Sequence, residues 1–170
     1  MIIDMQEKLF PHMSGKDALL INIQRLIRGI KILDVPLVLT EQYSKGLGKT
    51  ILPVKDLIND IEPFEKISFS CCDERKVMNL LDHLNRKFII IGGIESHVCV
   101  LQTVIDLIEN GYIPVVIADC ISSRKEEDKN IALERMKTEG AIITSTESIL
   151  LELCRMAGNE KFKSISALIK

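Results

Sequence analysis

Three residues of this 170-residue chain pair an apt side chain with a position where catalysis can use it: Asp4, Lys66 and Cys99. A cysteine in the first turn of a helix meets unpaired N–H groups and the positive end of the dipole, which favour a thiolate. A nearby lysine depresses a thiol's pKa further, and a carboxylate can accept its proton. Together they would make a nucleophile, its countercharge and its base. Each also has a structural reading. A cysteine on an apolar helix fills core, an aspartate after a strand caps a helix, and a lysine in a strand lines a solvated edge. Residue type alone leaves both readings open.

Other chemistries fail on spacing. Gly46-Leu-Gly48-Lys49-Thr50 resembles the end of a phosphate-binding loop, but the pattern needs glycine at position 43, which is Tyr43. Gly92-Gly93 follows a strand without the G-x-G-x-x-G of dinucleotide binders. Asp4-Met5-Gln6 lacks the second acidic residue that would help a phosphoaspartyl site hold magnesium. His12, His83 and His97 are far apart, so no metal and no other cofactor is expected.

The elements that must position the trio alternate between strand and helix. Phe88–Gly93 is an apolar run closed by glycines, which reads as a buried parallel strand. His97–Asn110 carries Val98, Leu101, Val104, Ile105 and Ile108 on one stripe, ending at Gly111. Ile113–Ala118 is a second strand, and Ser123 with Glu126 offers a capping box for a helix to Glu139. Ala141–Thr144 is a third strand, with another helix from Thr144. Upstream, Met1–Asp4 ends a strand, 17–33 forms a helix, and Val35–Thr40 is a strand. Glu65–Phe69 is a further strand and Asp73–Asn85 a further helix. About twenty-four residues, Glu41–Phe64, hold little periodicity, and such long connections are usually binding loops or covers. Phe162, Ile165, Leu168 and Ile169 share one face of a tail that docks on this subunit or on a neighbour. The expected fold is α/β: three α-β-α layers around a mainly parallel, doubly wound sheet, one domain over residues 1–170. In such sheets ligands bind beyond the carboxyl ends of the strands, where all three residues fall.

Composition sets the outer bounds. Aliphatic, aromatic, methionine and cysteine residues make up 46 % of the chain, which excludes disorder. No apolar run approaches the ~20 residues of a membrane span, so no membrane partner is expected. Twenty-two basic against 24 acidic residues leave a net charge of −2, with no general field for nucleic acid. Five cysteines (Cys71, Cys72, Cys99, Cys120 and Cys154) without a C-x-x-C pair or an export signal point to the cytoplasm.

Motifs in order along the chain narrow the reading. Ile2-Ile3-Asp4-Met5-Gln6, Glu65-Lys66 and Gly93-Ile94-Glu95-Ser96-His97-Val98-Cys99-Val100 together resemble the isochorismatase-like cysteine hydrolases. That superfamily includes nicotinamidases and N-carbamoylsarcosine amidohydrolases. Thr40-Glu-Gln-Tyr43, Lys45-Gly-Leu-Gly48, Ser68-Phe-Ser-Cys-Cys72, Ala118-Asp119 and Ser122-Ser123-Arg124 look like the isochorismatase domain-containing branch. The likeness extends over nearly the whole chain.

The resemblance implies roles residue by residue. Cys99 matches the nucleophile, Asp4 the proton-accepting base, and Lys66 the cation that pairs with Asp4 and holds the thiolate. A cis peptide is expected at Ile94–Glu95, with the backbone N–H groups of Glu95 and Cys99 forming the oxyanion hole. The implied activity is hydrolysis of a small-molecule amide C–N bond through a thioester. Relatives that cleave isochorismate do so without this thiol, so Cys99 argues for acyl transfer. Nicotinamidases hold a metal on an Asp-x-His motif where this chain reads Thr40-Glu41-Gln42-Tyr43, which argues against nicotinamide. The alternatives are a nicotinamidase or isochorismatase proper, or a catalytically silent scaffold or thiol sensor of the same fold. Tyr43, Phe64 and Phe69 wall a small pocket or simply pack, and His97 touches substrate or only starts a helix. Cys71 or Cys72 lies near the site or fills core, and Arg124 and Asp119 are expected to pair. Homo-oligomers, dimers or higher, are common in the family. The chain begins three residues before Asp4, so a longer natural N-terminus is expected.

Overall fold

The computed structural model describes residues 1–170. Six strands form one sheet: β1 Ile2–Ile3, β2 Leu39–Gln42, β3 Phe64–Lys66, β4 Phe88–Ile94, β5 Ile113–Ser122 and β6 Ile142–Thr144. Their spatial order is β3-β2-β1-β4-β5-β6, and every neighbouring pair is parallel. Winding outward in both directions from β1 and β4 puts a topological switch point between those two strands.

The helices are α1 Lys16–Ile32, α2 Ser44–Leu47, α3 Leu52–Lys55, α4 Arg75–Leu84, α5 Leu101–Glu109, α6 Glu126–Glu139, α7 Thr146–Cys154 and α8 Phe162–Ile169. The two-residue period of a strand explains the layers. Ile2 points to the face covered by Ile23, Leu26 and Ile27 of α1 and Leu150 of α7. Ile3 points to the other face, covered by Val77 and Leu81 of α4, Val104 and Leu107 of α5 and Met136 of α6. Each fully buried aliphatic contributes about 1.5–3 kcal/mol, so both layers are anchored on β1 despite its two residues. The tail docks in cis: Ile165 of α8 is fully buried in the α1 layer.

Gly93 is where β4 needs glycine. Its φ is +131°, and a Cβ there would lie 2.1 Å from the Ile3 carbonyl oxygen. The β4–β5 register slips at the same place, between Ile91 and Gly93, turning the end of β4 toward the switch point.

Several boundaries differ from the sequence reading. β2 begins at Leu39 because its neighbour β1 first offers a partner at Ile2, whose N–H bonds the Val38 carbonyl, leaving Val35–Leu37 outside the ladder. β3 ends at Lys66, after which the chain leaves the sheet. β5 runs four residues further than expected, to Ser122, because β4 pairs with it as far as Ile94. The predicted Ser123–Glu126 capping box does not form: Lys125 precedes α6 without a side-chain cap, and the Ser123 hydroxyl bonds His97 instead.

Candidate active site

Four adjacent strand ends bring the chemistry together. Asp4 follows β1, Thr40 and Gln42 lie on β2, Lys66 closes β3, and Cys99 sits in the turn after β4. Because β2 separates β3 from β1, a side chain on β3 must cross roughly 9–10 Å of sheet to reach Asp4. Lysine has the length. Its Nζ donates to Asp4 Oδ2 at 2.6 Å, to the Phe69 carbonyl at 3.0 Å and to the Ser68 carbonyl at 3.2 Å. The ammonium's three protons are thus matched by three acceptors. Those two carbonyls explain why the chain leaves the sheet after Lys66.

The Asp4–Lys66 pair is completely buried, at 0 % exposure for both side chains. Burial is the strongest single influence and opposes the charge on Lys66, yet the Asp4 carboxylate, together with Cys71 and Cys99, holds the ammonium's pKa above its ordinary value. Thr40 Oγ1 donates to the other carboxylate oxygen at 2.7 Å, so both Asp4 oxygens are engaged. Asp4 itself has φ of +51°, a left-handed conformation that aspartate tolerates better than most residues.

Cys99 does not occupy the first turn of a regular helix. Residues Ser96–Val100 form a π-helical turn leading into α5, and Cys99 is 3 % exposed. Its pKa is driven up, not down: burial disfavours the thiolate most, and the Asp4 charge adds to it against the opposing pull of Lys66. The direction of this shift is opposite to the one that a helix start and a nearby lysine lead one to expect. Lys66 spends its charge on Asp4, and the resting sulfur is a neutral thiol that donates to Gln42 Oε1 at 3.3 Å.

Around the sulfur, the Ile94–Glu95 peptide is cis. The Glu95 N–H has no acceptor elsewhere in the chain. The Glu95 side chain turns away, its Oε2 accepting from the Arg124 backbone N–H and Nε, both at 3.1 Å. Arg124 is thus paired with Glu95, while Asp119 accepts from the N–H and hydroxyl of Thr146 at the start of α7. The expected Arg124–Asp119 pair is not formed. The hydroxyl of Ser96 is buried without any partner.

The remaining candidates divide. Cys71 is buried beside the pair: its thiol lies 3.8 Å from Thr40 Oγ1, and burial together with the Asp4 charge pushes its pKa up to about 11. Cys72 leans instead on the Thr103 carbonyl. Tyr43 is 51 % exposed and lays its ring over Gly46; Phe69 is 50 % exposed and contributes its carbonyl to Lys66. His97 Nδ1 lies 2.9 Å from Ser123 Oγ.

Gln6, Thr40, Glu41 and Gln42, all buried, entered the sequence reading only as parts of motifs, without a role of their own. Gln6 Nε2 donates to the carbonyls of Gln42 and Gly48, and its Oε1 accepts from the Gln42 N–H. Glu41 Oε1 accepts from the N–H and hydroxyl of Thr50. These bonds tie the 43–50 loop to the strand ends. The available signal was Thr40-Glu41-Gln42, three polar residues closing a strand at the centre of a parallel sheet. No group of three or more His, Cys, Asp or Glu side chains converges as a metal site.

Residues 1–148 match the family model described as the isochorismatase domain. The chain belongs to the isochorismatase family. Isochorismatase family protein 1B of Dictyostelium discoideum is 41 % identical over 99 % of this chain and 84 % of its own length. Isochorismatase domain-containing protein 1 of Danio rerio is 38 % identical, covering 98 % of this chain and 59 % of that protein. Among solved structures, one described as the MAR1 ribonuclease of Caenorhabditis elegans superposes with a TM-score of 0.93 at 37 % identity, over 99 % and 86 % of the two chains. The isochorismatase-like fold is therefore a six-stranded parallel α/β sandwich here, in a family of hydrolases.

Proposed function

We propose that this isochorismatase-family chain is a cysteine-dependent hydrolase that cleaves the C–N bond of a small-molecule amide. One observation carries the reading: a neutral thiol, a carboxylate and an ammonium share one buried site at the switch point, with the carboxylate already ion-paired at 2.6 Å. A scaffold has no use for that arrangement. A buried ion pair contributes little net stability and is costly to maintain.

Asp4 takes the Cys99 proton as sulfur attacks the amide carbonyl, and the carbonyl π pair moves onto oxygen. The Glu95 N–H, which has no other partner, and the Cys99 N–H receive that oxyanion. Collapse breaks the C–N bond, Asp4 returns the proton to the leaving nitrogen, and a thioester remains on Cys99. Water then attacks the thioester, with Asp4 as base, releasing a carboxylic acid and restoring the thiol.

The related nematode structure is described as a ribonuclease. Here the one cation beside the nucleophile is fully buried and saturated, and the chain's net charge is −2. A polyanion gains no counterion release from such a site, so the reading stays with a small neutral substrate. No helix is long and apolar enough to cross a membrane. A free-thiol enzyme suits the reducing cytoplasm, and the expected assembly is a homo-oligomer.

Intact-mass trapping across a panel of small amides tests the reaction. The expected result is a Cys99 acyl adduct that is absent from Cys99→Ala. Amide turnover that survives Cys99→Ala would overturn the mechanism. If no amide acylates or turns over, the scaffold or thiol-sensor reading takes its place.

A further inference from the structure

Gln42 contacts the reacting sulfur, and its orientation is decided by its other end. Its Nε2 lies 3.1 Å from the Ile67 carbonyl, which can only accept. The NH2 group must face Ile67, so the amide oxygen must face Cys99, 3.3 Å from the sulfur. An oxygen acceptor there stabilises the S–H and repels a thiolate. Gln6 locks the arrangement by bonding both the N–H and the carbonyl of the Gln42 backbone. The resting proton therefore points at Gln42 and not at Asp4, the proposed base, whose two oxygens accept from Lys66 and Thr40.

We propose that Gln42 holds the thiol at rest and hands it to Asp4 when the N–H of a bound amide takes the Gln42 oxygen. The inference rests on Cys99 being the nucleophile and adds a substrate class. Ligands with an N–H beside the carbonyl, primary and secondary amides, release the thiol. Tertiary amides and esters cannot. Thiolate formation is thereby coupled to occupancy, which protects a buried cysteine from adventitious electrophiles.

Two measurements test it without a known substrate. The infrared S–H band of Cys99, isolated as wild type minus Cys99→Ala, should lie at a hydrogen-bonded wavenumber and move upward in Gln42→Met, which keeps length but replaces the amide oxygen with a weakly accepting thioether. Iodoacetamide and N,N-dimethyliodoacetamide differ in the N–H that Gln42 would accept. Peptide mapping should show wild-type Cys99 favouring iodoacetamide by roughly threefold to tenfold more than glutathione does, with the preference lost in Gln42→Met. A wild-type band at the free-thiol position, or a wild-type ratio equal to that of glutathione, refutes the proposal even if the variant does not fold. Failure of acyl trapping with both signatures intact would sink the hydrolase reading and leave the role of Gln42 standing.

Discussion

Asp4→Asn tests the centre of the site because it removes one charge and almost no volume. Lys66 would keep the Ser68 and Phe69 carbonyls and gain an amide oxygen, so its hydrogen bonds survive while its countercharge disappears. Removing one partner of a buried pair costs about 3–5 kcal/mol. The two retained carbonyls put this case at the low end, near ~3 kcal/mol. The pH dependence fixes the cause. In the wild type the folded Lys66 pKa lies above its unfolded value, so its contribution is complete below the unfolded pKa and is lost as pH rises through the folded one. In Asp4→Asn burial, the largest influence on Lys66, is opposed only by Cys71 and Cys99 and should place the folded pKa below the unfolded value. The variant is then penalised at neutral pH and relieved as pH climbs toward ~10. The stability gap to wild type should be widest at pH 7 and narrow by pH 9.5. Asp4→Asn combined with Lys66→Met leaves no stranded charge and should recover about 2 kcal/mol relative to Asp4→Asn alone. Urea unfolding followed by far-ultraviolet circular dichroism suits a chain without tryptophan. A loss below ~1 kcal/mol at pH 7, or a double variant equal to the sum of the singles, would refute the idea that the pair is electrostatically closed.

Further outcomes follow from the same geometry. Asp4→Asn removes the charge that helps hold the Cys99 thiol protonated and keeps the Lys66 charge that opposes it. It also removes the base that would take the thiol proton, so acyl-adduct formation from amides should be lost in intact-mass trapping, and adducts at the wild-type level would contradict this. Thr40→Val strips the second oxygen of Asp4 of its donor and should cost about 1–3 kcal/mol in urea titrations, against no loss if that bond is incidental. Gly93→Ala forces a Cβ to 2.1 Å from the Ile3 carbonyl at a positive φ, so the variant should lose more than ~4 kcal/mol or fail to fold, as a thermal melt would show. Above pH 9 stability should fall by about 2 kcal/mol by pH 11 on account of Cys71, since its folded pKa of about 11 exceeds the ordinary 9.0 and the unfolded chain gives up the proton first. Cys71→Ala should flatten that share of the curve.

Legibility in the sequence followed how local each determinant is. Phe88–Gly93 announced β4 because a short aliphatic run ended by glycine has few other uses, and α1 was readable from its apolar stripe to within one residue at each end. Boundaries set by a neighbour were not readable. Val35–Leu37 has strand composition but lies before the point where β1 begins to pair, and Ile67–Ser70 bends out of the sheet to bring carbonyls to an ammonium it meets only in the fold. The trio came from residue type at strand ends together with family resemblance. The direction of the Cys99 shift did not, since a helix start argues one way and burial beside a paired carboxylate argues the other. Gln42 was invisible because nothing in Thr40-Glu-Gln-Tyr43 tells which acceptor a thiol will find.

The neutral resting thiol is what permits the site to be closed. Asp4, Lys66 and Cys99 together carry no net charge when the carboxylate is ionised, the lysine protonated and the thiol neutral. Moving the proton from Cys99 to Asp4 leaves that sum at zero, and it only exchanges which anion faces Lys66. A low-dielectric interior penalises net charge far more than it penalises this exchange. A permanent thiolate beside an ionised Asp4 would leave two anions sharing one cation in the dry interior, which no lysine on β3 could offset. Charge is displaced only when the sulfur attacks and the negative charge moves to the carbonyl oxygen, away from Lys66. At that moment the proposed reaction needs new donors, and the unsatisfied Glu95 N–H is placed in the turn between β4 and Cys99.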